Sequence, residues 1–108
     1  MKNANIFVDV DLTLIDAKGS LLPGVREALE LLKNRGCHLH LWSTGGAEYV
    51  RAVAKRHQLT ELFEGFSAKP DIVIDDMPAT VLNALVFNPG DESSWQALAE
   101  KIVKKHID

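Results

Sequence analysis

Apolar and polar positions along the chain follow two alternating periods. Asn5 to Val8 is a short β-rich run that leads straight into Asp9, and Leu39 to Trp42 is a second, entering Ser43-Thr44-Gly45-Gly46. Between them Val25, Ala28, Leu29 and Leu32 fall at helical spacing, with Pro23 suited to the first turn and Gly36 to the stop. The helical period returns over Ala47 to His57, where Val50, Val53 and Ala54 share a face. It returns again over Ser94 to His106, where Trp95, Leu98, Ala99, Ile102 and Val103 do. Ile72 to Ile74 is a continuous apolar run, as expected of a strand buried on both faces, and Ala84 to Phe87 reads as a last short strand closed by Asn88-Pro89-Gly90. Leu62 to Ser67 is compatible with a further short strand, and Leu12 to Leu22 with a connection that turns at Lys18-Gly19.

Strands alternating with helices predict an α/β fold, a three-layer Rossmann-like domain with a mostly parallel sheet of four or five strands. The 108 residues suit one domain, 1–108, with no internal repeat and no linker. A hydrophobic fraction of 46% and a charged fraction of 25% exclude a disordered or fibrous chain. A net charge of −3 offers no overall field for nucleic acid or anionic lipid, so neither partner is expected. Cys37 is the only cysteine, which rules out an intrachain disulfide. With no signal-peptide pattern and no apolar stretch of spanning length, the expectation is a soluble cytoplasmic protein without membrane association.

The polar residues then change the picture. Asp9 and Asp11, Ser43, and Asp75 and Asp76 each stand at or just past the carboxyl end of a predicted strand, where open α/β sheets bind ligands. Two carboxylates two residues apart repel and call for a counter-charge. Mg²⁺ answers that need, since it favours oxygen donors and takes one or two carboxylates with waters or phosphate. A carboxylate placed there can also attack phosphorus, with the second acid protonating the leaving group and later activating water. Lys69 is within reach of the same rim, to neutralise the aspartate and bind a phosphoryl group. Lys55 is a weaker substitute. Ser43 and the backbone N–H groups of Thr44 and Gly45, at the start of the Gly46 helix, supply donors for an anion.

Asp9-Val10-Asp11-Leu12-Thr13 resembles the first motif of the haloacid dehalogenase (HAD) superfamily, Asp-x-Asp-x-Thr after an apolar strand. Leu39-His40-Leu41-Trp42-Ser43 is similar to its second, Lys69 in Ser67-Ala68-Lys69-Pro70 to its third, and Ile72-Val73-Ile74-Asp75-Asp76 to its fourth. The order is the family's and the motifs span nearly the whole chain. Leu12 stands where many members have Gly. The resemblance implies an Mg²⁺-dependent phosphatase in which Asp9 is the nucleophile and Asp11 the general acid/base. Ser43 and Lys69 would hold the phosphoryl group. Asp9, the Asp11 carbonyl and Asp76, with Asp75 behind it, would hold the metal. Neither Leu12 to Leu22 nor Leu59 to Ala68 has room for the family's cap domain. The phosphorylated substrate, or another subunit of a homo-oligomer, is then expected to cover the rim. The other reading is a phosphate- or metal-binding or protein-interaction module that keeps the site without turnover.

Blander assignments hold elsewhere. His38 and His40 read as packed or edge histidines, Cys37 as a small buried hydrophobe, Trp42 and Trp95 as core or helix-packing residues, and Thr13 as a residue that shapes the turn.

Overall fold

The computed structural model describes residues 1–76 and 84–108. Three strands, β1 (Asn5–Asp9), β2 (His38–Ser43) and β3 (Gly65–Ala68), form a parallel sheet in the order β1-β2-β3. The register runs from Asn5 opposite His38 to Asp9 opposite Trp42, and from His40 opposite Gly65 to Ser43 opposite Ala68. Helix α1 (Val25–Asn34) joins β1 to β2 and α2 (Ala47–Arg56) joins β2 to β3, while α3 (Trp95–Ile102) packs on α1. Consecutive parallel strands with right-handed crossovers place both connecting helices on one face of the sheet.

The helices form where the apolar period expects them. The buried positions of α1 are Val25, Ala28, Leu29 and Leu32, and those of α2 are Val50, Val53 and Ala54. Gly36, at φ +86°, stops α1: its N–H donates to the Lys33 carbonyl, and the Cys37 N–H to the Leu32 carbonyl. At the end of α2 the same closure is made by Gln58 at φ 57°, with Leu59 N–H donating to the Ala54 carbonyl. Helix α3 starts at Ser94, whose Oγ accepts the Ala97 N–H at 3.0 Å, and runs on into a π-helical turn over Val103–Ile107. Val8, Leu39 and Leu41 of the sheet, the inner faces of all three helices and the turn residues Val10 and Leu14 make one continuous core.

Five expectations are corrected. Ile72 to Ile74 and Ala84 to Phe87 are not strands, and Ile72, Ile74 and Val86 are 82%, 97% and 89% exposed. An apolar run specifies burial but not a partner, and a strand exists only where a neighbour completes its hydrogen bonds. The sheet therefore has three strands among the described residues instead of four or five. The third layer is also missing there: the face carrying Asn5, Phe7, His40 and Trp42 is open, and Phe7, stacked on His40 at 4.6 Å, stays exposed. Trp42 lies on that open face, 4.8 Å from Phe7, and not in the core, because the two-residue period of β2 gives the core to Leu39, Leu41 and Ser43. Cys37 and Trp95 are buried, and burial pushes the Cys37 thiol up from its ordinary value. His38 meets Glu64, and His40 Nε2 lies 3.0 Å from Asn5 Oδ1. No helix among the described residues is long and apolar enough to cross a membrane.

Candidate functional site

All three strands end on the same edge, and each delivers a polar residue there. Asp9 is the last residue of β1, Ser43 the last of β2, and Lys69 follows β3 directly. The Lys69 N–H donates to the Ser43 carbonyl at 3.0 Å, which carries the β2–β3 ladder one residue further and fixes the root of the lysine. Its Nζ lies 5.9 Å from the centroid of the Trp42 ring and 3.1 Å from Asp9 Oδ1. Both side chains are about a third exposed, so the ion pair is only partly screened.

The chain turns sharply after Asp9. The Val10 carbonyl accepts the N–H of Leu14 at 2.9 Å and of Ile15 at 3.2 Å, and Leu12 takes φ 59° at the bend. Burial of Val10 and Leu14, both fully enclosed, holds the turn down, and Trp95 Nε1 of α3 donates to the Thr13 carbonyl at 3.1 Å. The outcome is that Thr13 Oγ1 donates to Asp9 Oδ2 at 3.1 Å. Each oxygen of the Asp9 carboxylate thus has its own donor, an ammonium on one side and a hydroxyl on the other.

Because β1 stops at Asp9, the direction of Asp11 is set by this turn and not by the strand pleat. Its Oδ1 accepts the hydroxyl of Tyr49, on the first turn of α2, at 2.6 Å. That hydrogen bond, followed by desolvation and the Asp11 charge, raises the Tyr49 phenol above its ordinary value. Tyr49 lies over Gly45, where an added Cβ would come within 2.8 Å of the ring, so the glycine makes room for it. Ser43 is buried and its Oγ accepts the Gly45 N–H at 3.0 Å, shaping the β2–α2 turn. Thr44 and Gly45 are exposed on the rim beside it.

The site thus gathers Asp9, Thr13, Ser43 and Lys69, with Asp11 and Tyr49 alongside. Lys69, and not Lys55, makes the contact to Asp9. Asp75 and Asp76 are exposed beyond the 72–74 run, and no group of three His, Cys, Asp or Glu residues placed to hold a metal occurs among the described residues. At and just past the end of β1, Asp9 and Asp11 offer carboxylate oxygens. That set suits Mg²⁺, which completes its octahedron with water and substrate oxygens.

Sequence reasoning gave Thr13 only to the turn and passed over Tyr49. For Thr13 the signal was its place four residues after Asp9, which a bend brings back to the carboxylate. For Tyr49 it was an aromatic residue one helical turn past a Gly-Gly pair, where the side chain can lie back over the glycines.

No protein-family model matches the chain, and a comparison with curated proteins returns no match.

Proposed function

We propose that the chain is an Mg²⁺-dependent phosphomonoester hydrolase of the HAD kind that works through a phosphorylated Asp9. The observation that carries this reading is the Asp9 carboxylate held between Lys69 Nζ and Thr13 Oγ1, each at 3.1 Å, at the carboxyl edge of a parallel sheet. An aspartate fixed at both oxygens is oriented for in-line attack, and the lysine offsets charge that would otherwise repel an incoming phosphate.

In the proposed reaction Asp9 attacks phosphorus, the bond from phosphorus to the leaving oxygen breaks, and that oxygen takes a proton from Asp11. Water then attacks the acyl phosphate, gives its proton to Asp11, and frees phosphate and Asp9. With the Tyr49 hydroxyl on Asp11 Oδ1, Oδ2 is the oxygen left to carry the proton. Asp9 and the Asp11 carbonyl would hold Mg²⁺, with Asp76 and Asp75 as further carboxylates, and the bound ion would neutralise phosphoryl charge. Ser43, Thr44, Gly45 and Lys69 would surround the phosphoryl oxygens.

The other reading is a phosphate- or metal-binding or protein-interaction module without turnover. Hydrolysis of 4-nitrophenyl phosphate separates the two. Mg²⁺-dependent turnover that falls at least about 10³-fold in Asp9→Asn supports the hydrolase. Binding of inorganic phosphate with no turnover in either protein supports the module.

A further inference from the structure

A cleft of about 390 Å³ opens beside Asp11, between the turn after β1 and the outer side of α2. Its Asp11 end adjoins the reacting edge. Leu12, Ile15 and Tyr49 add apolar surface to its lining, and Leu12 is 74% exposed. Lys18 and Arg56 supply its cations. Neither of the two makes an ion pair among the described residues.

The position of Arg56 is built by the fold. Tyr49 and Arg56 stand seven residues apart on α2, on one face and about 10 Å apart along the axis at 1.5 Å per residue. The neighbouring His57 donates from Nε2 to the Gly19 carbonyl at 3.0 Å, tying the end of α2 to the turn. A Cβ built on Gly19 would lie 3.8 Å from an Arg56 guanidinium nitrogen, so the guanidinium lies against the turn. The turn itself is fixed by Asp16, whose Oδ1 accepts the N–H groups of Lys18 and Ser20 at 2.9 Å each. Asp16 lines the same cleft, and these two backbone N–H groups offset part of its charge there.

We propose that this cleft receives the leaving group of the phosphomonoester, and that Arg56, with Lys18 on the same cleft, selects leaving groups bearing a second anionic group. The inference rests on the reading of Asp9 and Asp11 as the hydrolytic pair. It narrows the substrate class to small phosphomonoesters with a distal carboxylate or phosphate. A guanidinium binds either through paired N–H groups, and a neutral leaving group forfeits that contact.

The test compares 4-carboxyphenyl phosphate with its neutral isostere 4-carbamoylphenyl phosphate, and a phosphate in place of the carboxylate tells the two anions apart. The expected result is a kcat/KM for the carboxylate at least about tenfold above that for the amide, set mainly by KM. Arg56→Ala is expected to bring that ratio to within about twofold of unity, and Arg56→Lys to restore part of it. Arg56 is exposed, and an unchanged thermal melting curve of the variant confirms that it folds. Turnover of both probes with no preference, or a preference that survives Arg56→Ala, overturns this inference and leaves the phosphatase reading standing. No turnover of either probe overturns both.

Discussion

Lys69 and Tyr49 touch the two aspartates of the site in different ways, and each contact has its own measurement. Lys69 is the one cation within 4 Å of Asp9 among the described residues. Lys69→Met keeps the length and removes the charge, so the expected result is a fall of about 10²–10³ in kcat, the usual cost of losing one preorganised donor. Steady-state kinetics at saturating Mg²⁺ check it, and an unchanged kcat would remove Lys69 from the chemistry. Tyr49 is the only tyrosine of the chain, so absorbance at alkaline pH reads it alone. The hydrogen bond to the Asp11 carboxylate raises its phenol. Titrated without divalent cations, the wild type is expected to ionise above the usual value of about 10, and Asp11→Asn to fall back toward it. The sign for stability follows: the contact contributes in full below the unfolded value and is lost as pH rises through the raised one.

The secondary elements show how far local sequence reaches. The inner faces of α1, α2 and α3 carry the apolar residues that their spacing marked, because a 3.6-residue period needs only one large apolar face to turn to. β1 and β2 were legible for a similar reason, since each runs into a polar cluster that ends it. The runs at 72–74 and 84–87 carry the short apolar pattern of strands, but their state depends on partners that the pattern does not name. The bend at Leu12 was equally out of sight: a β-rich run followed by Asp-Leu-Thr does not announce a φ of 59°. It is this bend, and not the pleat, that sends Asp11 toward Tyr49. The end of α2 offers a stability test at this scale. Gln58 is exposed and holds φ 57°, which costs an L-residue about 1–2 kcal/mol. The extra chain entropy of glycine offsets about 0.5–1 kcal/mol of that gain. Gln58→Gly is therefore expected to raise stability by about 0.5–1 kcal/mol, read as a higher urea midpoint at unchanged slope. A lower midpoint would mean that the Gln58 side chain contributes more than its exposure indicates.

At the scale of the whole molecule the question is whether the site and the core are one cooperative unit. The candidate site sits on a turn whose inner residues, Val10 and Leu14, belong to the same core as the sheet and the three helices. Helix α3 is joined to that turn through Trp95 Nε1 on the Thr13 carbonyl, and to the rest of the core through its packing on α1. Loosening the turn should therefore loosen the distant helix, and the reverse. Leu14→Ala is the sharpest probe: the side chain is fully buried, and truncation at such a position costs about 2–5 kcal/mol. That is a large part of the roughly 5–15 kcal/mol that holds a domain together. The expected outcome is a single unfolding transition, shifted to lower urea by that amount. Far-ultraviolet circular dichroism and Trp95 fluorescence, recorded in the Trp42→Phe background, should follow one curve. Two separated curves would show that α3 folds apart from the sheet. The Trp95 hydrogen bond would then be a surface contact, and the position of Thr13 over Asp9 would have to be secured by the turn alone.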